Sequence, residues 1–322
     1  MNNKIKTTLW IIGIILAVLL FFAAAFYFWP TTDRKFQIGT SESMTYEQSV
    51  KHVAALNKQE SDTDVRPECA STLMDHGKKA AKTVVMLHGI TACPEQFSEL
   101  GKMFFDQGYN VYIPRAPHHG FADTKLHKNV LTNELVDYAN DAVATATGLG
   151  DEVGVIGLSG GGAIATWAAE YRPEVSRLLV LSPFYEPDAS QAPKWQLPLL
   201  KKLYGYHLLA NSFSGPNETG FSLWELANYL ILTDNLKENP TGLNLMSAGV
   251  VTSAADDVID HNLARSIPQK IAAKNNLNLF QRELPKEWNV GHAIVSPTET
   301  GVPEHKQELY KLYQAFYEGR KS

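Results

Sequence analysis

The sequence predicts an α/β fold: a mostly parallel, doubly wound sheet with an inserted, mainly helical cap, preceded by one N-terminal transmembrane helix. Three observations carry this expectation. Short apolar runs alternate with amphipathic ones over most of the chain, as strands do when helices bury them on both faces. The alternation breaks over residues 185–246. Near the N-terminus, residues 9–29 form a run of 21 without a charge, close to the roughly 20 needed to cross a bilayer as a helix.

Residues 1–8 read as a short cytoplasmic N-terminus and residues 9–29 as a signal anchor. Lys4 and Lys6 precede the run, and Trp10, Tyr27 and Trp29 sit near its ends as interfacial anchors. Arg34 and Lys35 follow it, partly offset by Asp33. This slight bias puts the amino end inside and the bulk of the chain outside the cytoplasm, as a single-pass protein of the cell membrane. A cleaved signal peptide is the rival reading, but its apolar region would be about 7–15 residues. Ala23-Ala24-Ala25 offers a cleavage site, yet Phe26, Tyr27, Phe28 and Trp29 follow directly. Residues 30–64 read as a polar stalk with a peripheral helix near 45–57.

The core is expected over residues 65–184 and 247–322. Strand-like runs lie at 83–87, 110–114, 152–158, 176–181, 248–253 and 277–284. Helix-like segments lie near 94–107, 131–147, 161–171, 263–274 and 304–319. Residues 185–246 are too many for a bare loop in a compact domain. They are rich in Leu, Trp and Tyr and broken by Pro193, Pro198, Pro216 and Pro240, which suits a cap over the carboxyl edge of the sheet. Trp195, Leu199 and Tyr204 are the expected substrate contacts on its underside; packing within the cap itself competes for each.

Composition narrows the function. The 322 residues are 44% hydrophobic and 20% charged, with a net charge of −5. That is ordinary for a globular domain and lacks the basic excess of a nucleic-acid binder. The two cysteines, Cys69 and Cys93, do not have the spacing of a zinc motif. No metal and no cofactor are expected.

The chemistry centres on Gly157-Leu158-Ser159-Gly160-Gly161, a G-x-S-x-G pattern between a strand-like run and an Ala-rich helical one. A serine on such a turn is exposed at the strand's carboxyl end. Serine is a poor nucleophile without an adjacent base that a third group orients. His292 follows the last strand-like run and is the expected base. His118 and His119 precede the serine, so their loop reads as pocket wall, with His119 a substrate contact. Asp256, at the end of the 248–253 run, is the expected acid. Asp257 is its immediate rival, and Glu186 and Asp188 are more distant ones. Two backbone N–H groups, of Ile90 and Gly160, would await an oxyanion.

Leu87–Phe97 (LHGITACPEQF), Tyr109–Phe121 (YNVYIPRAPHHGF) and Val153–Trp167 (VGVIGLSGGGAIATW), with Asp256 and His292 in that order, resemble the α/β-hydrolase superfamily. Within it they resemble the serine carboxylesterase and monoacylglycerol-lipase branch. The resemblance spans about residues 67–319; Pro117-His118-His119-Gly120 departs slightly from the usual G-H-G. It implies cofactor-free hydrolysis of an ester, thioester or amide through an acyl-serine, with a small-molecule or lipid-like ester as partner.

Two other functions stay open on the sequence. A peptidase or amidase would need charged groups such as Glu186, Asp188 or Glu225 to hold an amine. A catalytically silent scaffold would share the fold.

A disulfide between Cys69 and Cys93 is also expected. Pro94 reads as the first residue of a helix, which puts Cys93 at a cap position that does not favour cysteine. A bond to Cys69 would brace the Ile90 loop. The resemblance adds to this, since the two look like a paired feature of close relatives. Two separate thiols in a cytoplasmic enzyme are the alternative.

Overall fold

The computed structural model describes residues 3–40, 42–214 and 220–321. Pro216, one of the expected cap breakers, lies outside the described residues, as do the first two residues of the expected cytoplasmic N-terminus.

Seven strands form the central sheet: β1 (Thr72–Met74), β2 (Ala80–Leu87), β3 (Asn110–Ile113), β4 (Gly150–Leu158), β5 (Val175–Leu181), and, after a two-stranded hairpin of β6 (Phe213–Ser214) and β7 (Phe221–Ser222), β8 (Ser247–Ser253) and β9 (Leu279–Leu284). Their order is β1-β3-β2-β4-β5-β8-β9. Within this sheet, among the described residues, β1 runs antiparallel to β3 and the other pairings are parallel. Side chains alternate between two cores. Val85, Val155, Val180 and Val250 face one; Val84, Ile156, Leu179 and Val251 face the other.

Crossover helices cover both faces. On the first face lie α4 (Thr132–Leu149), α5 (Gly160–Tyr171) and α8 (His261–Lys274); on the second lie α3 (Ser98–Asp106) and α9 (Val302–Tyr317). Local signals start them. Asp260 caps α8 by accepting from the N–H groups of Asn262 and Leu263. Trp167 of α5 is fully buried and donates through Nε1 to the carbonyl of Phe36 at 2.6 Å.

Between β5 and β8 the chain leaves the sheet to form α6 (Leu197–Gly205) and α7 (Leu223–Asp234), which pack on each other. The β6–β7 hairpin links them. Only two residues from each strand pair, too few to leave a periodic trace in the sequence. Edge strand β1 was invisible for the same reason. The helix expected over 94–107 begins instead as a 3-10 turn, Pro94–Phe97, before α3.

Two helices precede the sheet. α1 (Asn3–Phe28) is the apolar one. α2 (Tyr46–Ser61) starts at a capping box, Thr45 with Gln48, and packs on α4. Residues 30–40, expected to form part of a stalk, lie against the body instead. The N–H of Asp33 donates to Asn235 Oδ1 at 2.8 Å, and that of Thr40 to Asn140 Oδ1 at 2.9 Å. Polar composition suggested solvent, but these polar groups are partners for buried asparagines.

Candidate active site

Three strands of the sheet bring three side chains together at their carboxyl ends, where open α/β sheets bind ligands. Ser159 follows β4 directly, at φ 55° and ψ −123°. That is a sparsely populated conformation for a residue with a Cβ. Neighbouring bonds hold it there. Its N–H donates to Leu181 O at 3.0 Å, and its carbonyl accepts from the N–H groups of Phe184 and Ala163. Close approach dictates the glycines around it. A Cβ on Gly157 would lie 2.1 Å from Gly161 O, and one on Gly161 would lie 2.0 Å from Leu87 O.

His292, after β9, points Nε2 at Ser159 Oγ, 2.8 Å away. Its Nδ1 lies 2.8 Å from Asp256 Oδ2. Since Asp256 Oδ2 accepts, Nδ1 carries a proton, which leaves Nε2 of the neutral ring free to accept from the serine. Asp256 sits on the turn after β8, its side chain fully buried. Its second oxygen accepts the N–H of Val258 at 2.9 Å. Burial alone would raise its pKa, but the hydrogen bond and charge of His292, with the Val258 N–H, outweigh burial and hold it below the usual carboxylate value. The rival Asp257 is exposed. Glu186 lies 3.8 Å from Lys194 instead, and Asp188 accepts the N–H of Ser190.

The loop after β2 reaches this point as well. A Cβ on Gly89 would lie 3.3 Å from Ser159 Cβ, and one on Gly160 would lie 2.5 Å from Ile90 Cγ1. Directly after Ile90, Thr91 turns the chain at φ 66°. Gly160 opens α5, and N–H groups in a helix's first turn have no intrahelical partner. This juxtaposes the backbone of Ile90 and Gly160 beside the serine. The Ile90 loop is also cross-linked: Cys93 is bonded to Cys69, with 5.1 Å between their Cα atoms.

His88 locks the same loop to its neighbour. Its Nε2 accepts the Ala116 N–H at 3.0 Å and its Nδ1 donates to Gly89 O. Complete burial, with His119 alongside, holds its pKa down to about 3, which fits a neutral ring with one donor and one acceptor.

A cavity of about 660 Å³ lies beneath the cap; Ser159 and His292 are not on its wall, but neighbours bonded to Ser159 and Asp256 are. Phe184, whose N–H bonds to Ser159 O, and Val258, bonded to Asp256, are on its wall. Leu199 and Tyr204 of α6 line it too. Two expected contacts do not. Trp195 is 62% exposed, outside the cavity wall. His119 is buried, with Nε2 3.0 Å from Glu225 Oε1, and His127 Nδ1 contacts the other oxygen of that carboxylate. Burial would raise the pKa of Glu225, but His119 and His127 outweigh it and hold it low.

The sequence reading missed two neighbours, Tyr229 and Glu299, and gave a third, Glu225, a different role. Tyr229 of α7 packs its ring on Gly160, where a Cβ would lie 2.6 Å from Tyr229 Cε1. Glu225, one turn earlier, joins α7 to the loop after β3. Glu299 approaches the residue before His292: a Cβ on Gly291 would lie 2.3 Å from its Oε1. Burial raises the Glu299 pKa. Helical spacing of Glu225 and Tyr229 was legible; the partners of either were not. Among the described residues, no group of three or more His, Cys, Asp or Glu side chains is arranged to hold a metal ion.

A family model described as serine aminopeptidase, S33, matches residues 78–222. That stretch includes Ser159 but stops short of Asp256 and His292. The architecture agrees with solved structures over most of the chain. A metagenome-derived lipolytic enzyme, reported in a study of LipS and LipT, superposes with TM-score 0.57 at 18% identity, covering 79% of this chain and 98% of its own. The chain has the α/β-hydrolase fold. Two further structures share this fold. A monoacylglycerol lipase from Paleococcus ferrophilus has TM-score 0.56 at 15% identity, covering 76% of this chain and 98% of its own. Est1E from Butyrivibrio proteoclasticus, solved with ferulic acid bound, has TM-score 0.52 at 15% identity, covering 76% and 94%. Among curated proteins, no sequence match is found.

Proposed function

We propose that this hydrolase cleaves carboxylic esters through an acyl-serine intermediate. One observation carries the proposal: the unbroken line from Ser159 through His292 to Asp256, at 2.8 Å and 2.8 Å. In this reading Ser159 Oγ attacks the acyl carbon while His292 Nε2 takes its proton. The carbonyl becomes an oxyanion, held by the N–H groups of Ile90 and Gly160. Its collapse breaks the ester bond, and the His292 proton goes to the leaving alcohol. Water then attacks the acyl-serine, His292 again taking and returning the proton. Asp256 holds the imidazole in one tautomer and stabilises its charged form.

We also propose that residues 9–29 remain as a membrane anchor, with the catalytic domain outside the cytoplasm. Within the helix Ile5–Phe28 an 18-residue window has a mean hydropathy of 2.9, and none of that window is buried. The Cys69–Cys93 bond suits an oxidising compartment.

The family description favours a second reading, a peptidase acting at a free amine. The three carboxylates proposed for that role are otherwise engaged: Glu225 with two histidines, Glu186 near Lys194, and Asp188 in its own turn. The ester reading is therefore preferred. Rates on p-nitrophenyl esters against aminoacyl anilides test the choice; faster cleavage of the anilides would reverse it. A fluorophosphonate probe should label Ser159. No labelling of the folded protein would point to the silent scaffold.

A further inference from the structure

The carboxyl end of α1 is fastened to the two helices over the cavity. The Tyr27 hydroxyl donates to the Trp195 carbonyl at 2.9 Å. Lys202 of α6 donates to the Tyr27 carbonyl, with its Nζ 5.7 Å from the centre of the Phe26 ring. The next residues continue the clamp onto the end of α7. The Thr31 hydroxyl bonds the Asp234 carboxylate, and Asn235 bonds both the Asp33 N–H and the Thr31 carbonyl. An anchor leaving a bilayer at Trp29 therefore holds α6 within a side chain's length of the lipid surface. A flexible stalk would impose no such placement.

The segment held there has an unusual surface. Trp195, Tyr206 and Leu208 are 62%, 55% and 59% exposed. Phe28 and Trp29, at the end of α1, are 78% and 70% exposed. Lys194, beside Trp195, is also largely exposed. Exposed aromatic and leucine side chains with a flanking lysine suit the interfacial layer of a membrane better than water. This surface also runs into the cavity: Leu209 is 44% exposed and is on the cavity wall.

We propose that this face of the cap, carried by Trp195, Tyr206, Leu208 and Leu209, lies in the interfacial layer of the bilayer that holds α1, and that the cavity opens onto that layer. The substrates would then be membrane-resident acyl esters, whose chains pass from lipid into the cavity without crossing bulk water. The inference rests on the ester and anchor readings above and adds the face, its partner and the route of entry.

The test uses the full chain in vesicles of zwitterionic phospholipid. Both native cysteines are in the disulfide, so an environment-sensitive fluorophore can be attached at Leu208→Cys alone, or at Asp151→Cys as a control on the amino-terminal half of β4. At position 208 we expect blue-shifted emission, quenched by spin-labelled lipid; at position 151, emission as in water. Water-like emission at both positions, or loss of the protein from the vesicles, would overturn the proposal.

A second arm compares two substrates. The double variant Tyr206→Glu, Leu208→Glu should keep its rate on a dissolved short-chain p-nitrophenyl ester within about twofold. On a long-chain monoester embedded in the vesicles it should lose tenfold or more. An equal fall on both esters, or on neither, would overturn the route of entry. If the unmodified protein cleaves neither ester, the ester reading fails, and the fluorescence arm still decides whether the cap meets the lipid.

Discussion

His88 Nε2 accepts the N–H of Ala116, 3.0 Å away, and so ties the loop after β2 to the loop after β3. The first loop carries Ile90. The second leads to His119, whose contact with Glu225 continues the link to α7. Serine placement thus depends on its own turn, while the backbone of Ile90, proposed to meet the oxyanion, depends on loops that one buried imidazole joins.

Replacing His88 with Phe leaves the Ala116 N–H buried without an acceptor, which costs about 1–3 kcal/mol. We expect that loss in urea unfolding, together with a fall of tenfold or more in kcat/KM on a short ester. His88→Gln, which can still accept, should recover part of both. Unchanged kinetics in a His88→Phe protein of lowered stability would remove the link between this bond and the Ile90 donor.

Asp256→Asn should cripple turnover by several powers of ten, whereas Asp257→Asn should leave it within about twofold. The reason is geometric: Asp256 meets His292 at 2.8 Å while Asp257 is exposed. Steady-state kinetics on one soluble ester check both. Ser159→Ala in the same assay sets the floor, since loss of a member of the proposed triad removes a cooperating unit. Equal loss in the two aspartate variants would contradict the assignment.

The residues of the proposed site that the sequence singled out are those that local rules position. Ser159, Asp256 and His292 each follow a strand, and apolar runs mark where β4, β8 and β9 end. The Ile90 loop was readable from the His88-Gly89 turn. What stayed hidden depends on distant partners. Trp195 looked like a lining residue because it is aromatic and in the cap, yet the turn before α6 faces it outward beside Tyr27. His119 looked like pocket wall, yet Glu225, about a hundred residues on, buries it. The segment after α1 looked like a stalk because its polar groups have partners as remote as Asn235.

Glu170 predicts a pH dependence. It is buried at the end of α5, accepting the Lys237 N–H at 2.6 Å. Burial pushes its pKa up to about 7, although Lys237 and Lys270 oppose the shift. The folded value lies above the unfolded one, so the unfolded chain gives up this proton first as pH rises. The group's contribution is fully present below about pH 4.5 and is lost as pH passes about 7. Glu170→Gln keeps an acceptor for Lys237 and removes the titration. Between pH 5 and pH 8 the variant should lose less stability than the natural protein, by on the order of 2–3 kcal/mol. Chemical unfolding at the two pH values measures it, and identical slopes would place the Glu170 pKa near that of an ordinary carboxyl.

Breaking the Cys69–Cys93 bond should act on stability and on the site together. The bond closes a loop with a sequence separation of 24, which in the chain-entropy view constrains the unfolded state by about 3 kcal/mol. Cys69 lies in a 3-10 turn, Pro67–Cys69, that packs on the turn Pro94–Phe97. That second turn holds Gln96, whose side-chain oxygen accepts the Gly89 N–H at 2.9 Å. A chain of two contacts therefore leads from the disulfide to the residue before Ile90. The double variant Cys69→Ala, Cys93→Ala should unfold at lower urea. At temperatures where it stays folded, its kcat should drop while KM for a soluble ester changes little, because the oxyanion forms only as the reaction proceeds. A rise in KM at unchanged kcat would instead assign the bond to the walls of the substrate cavity.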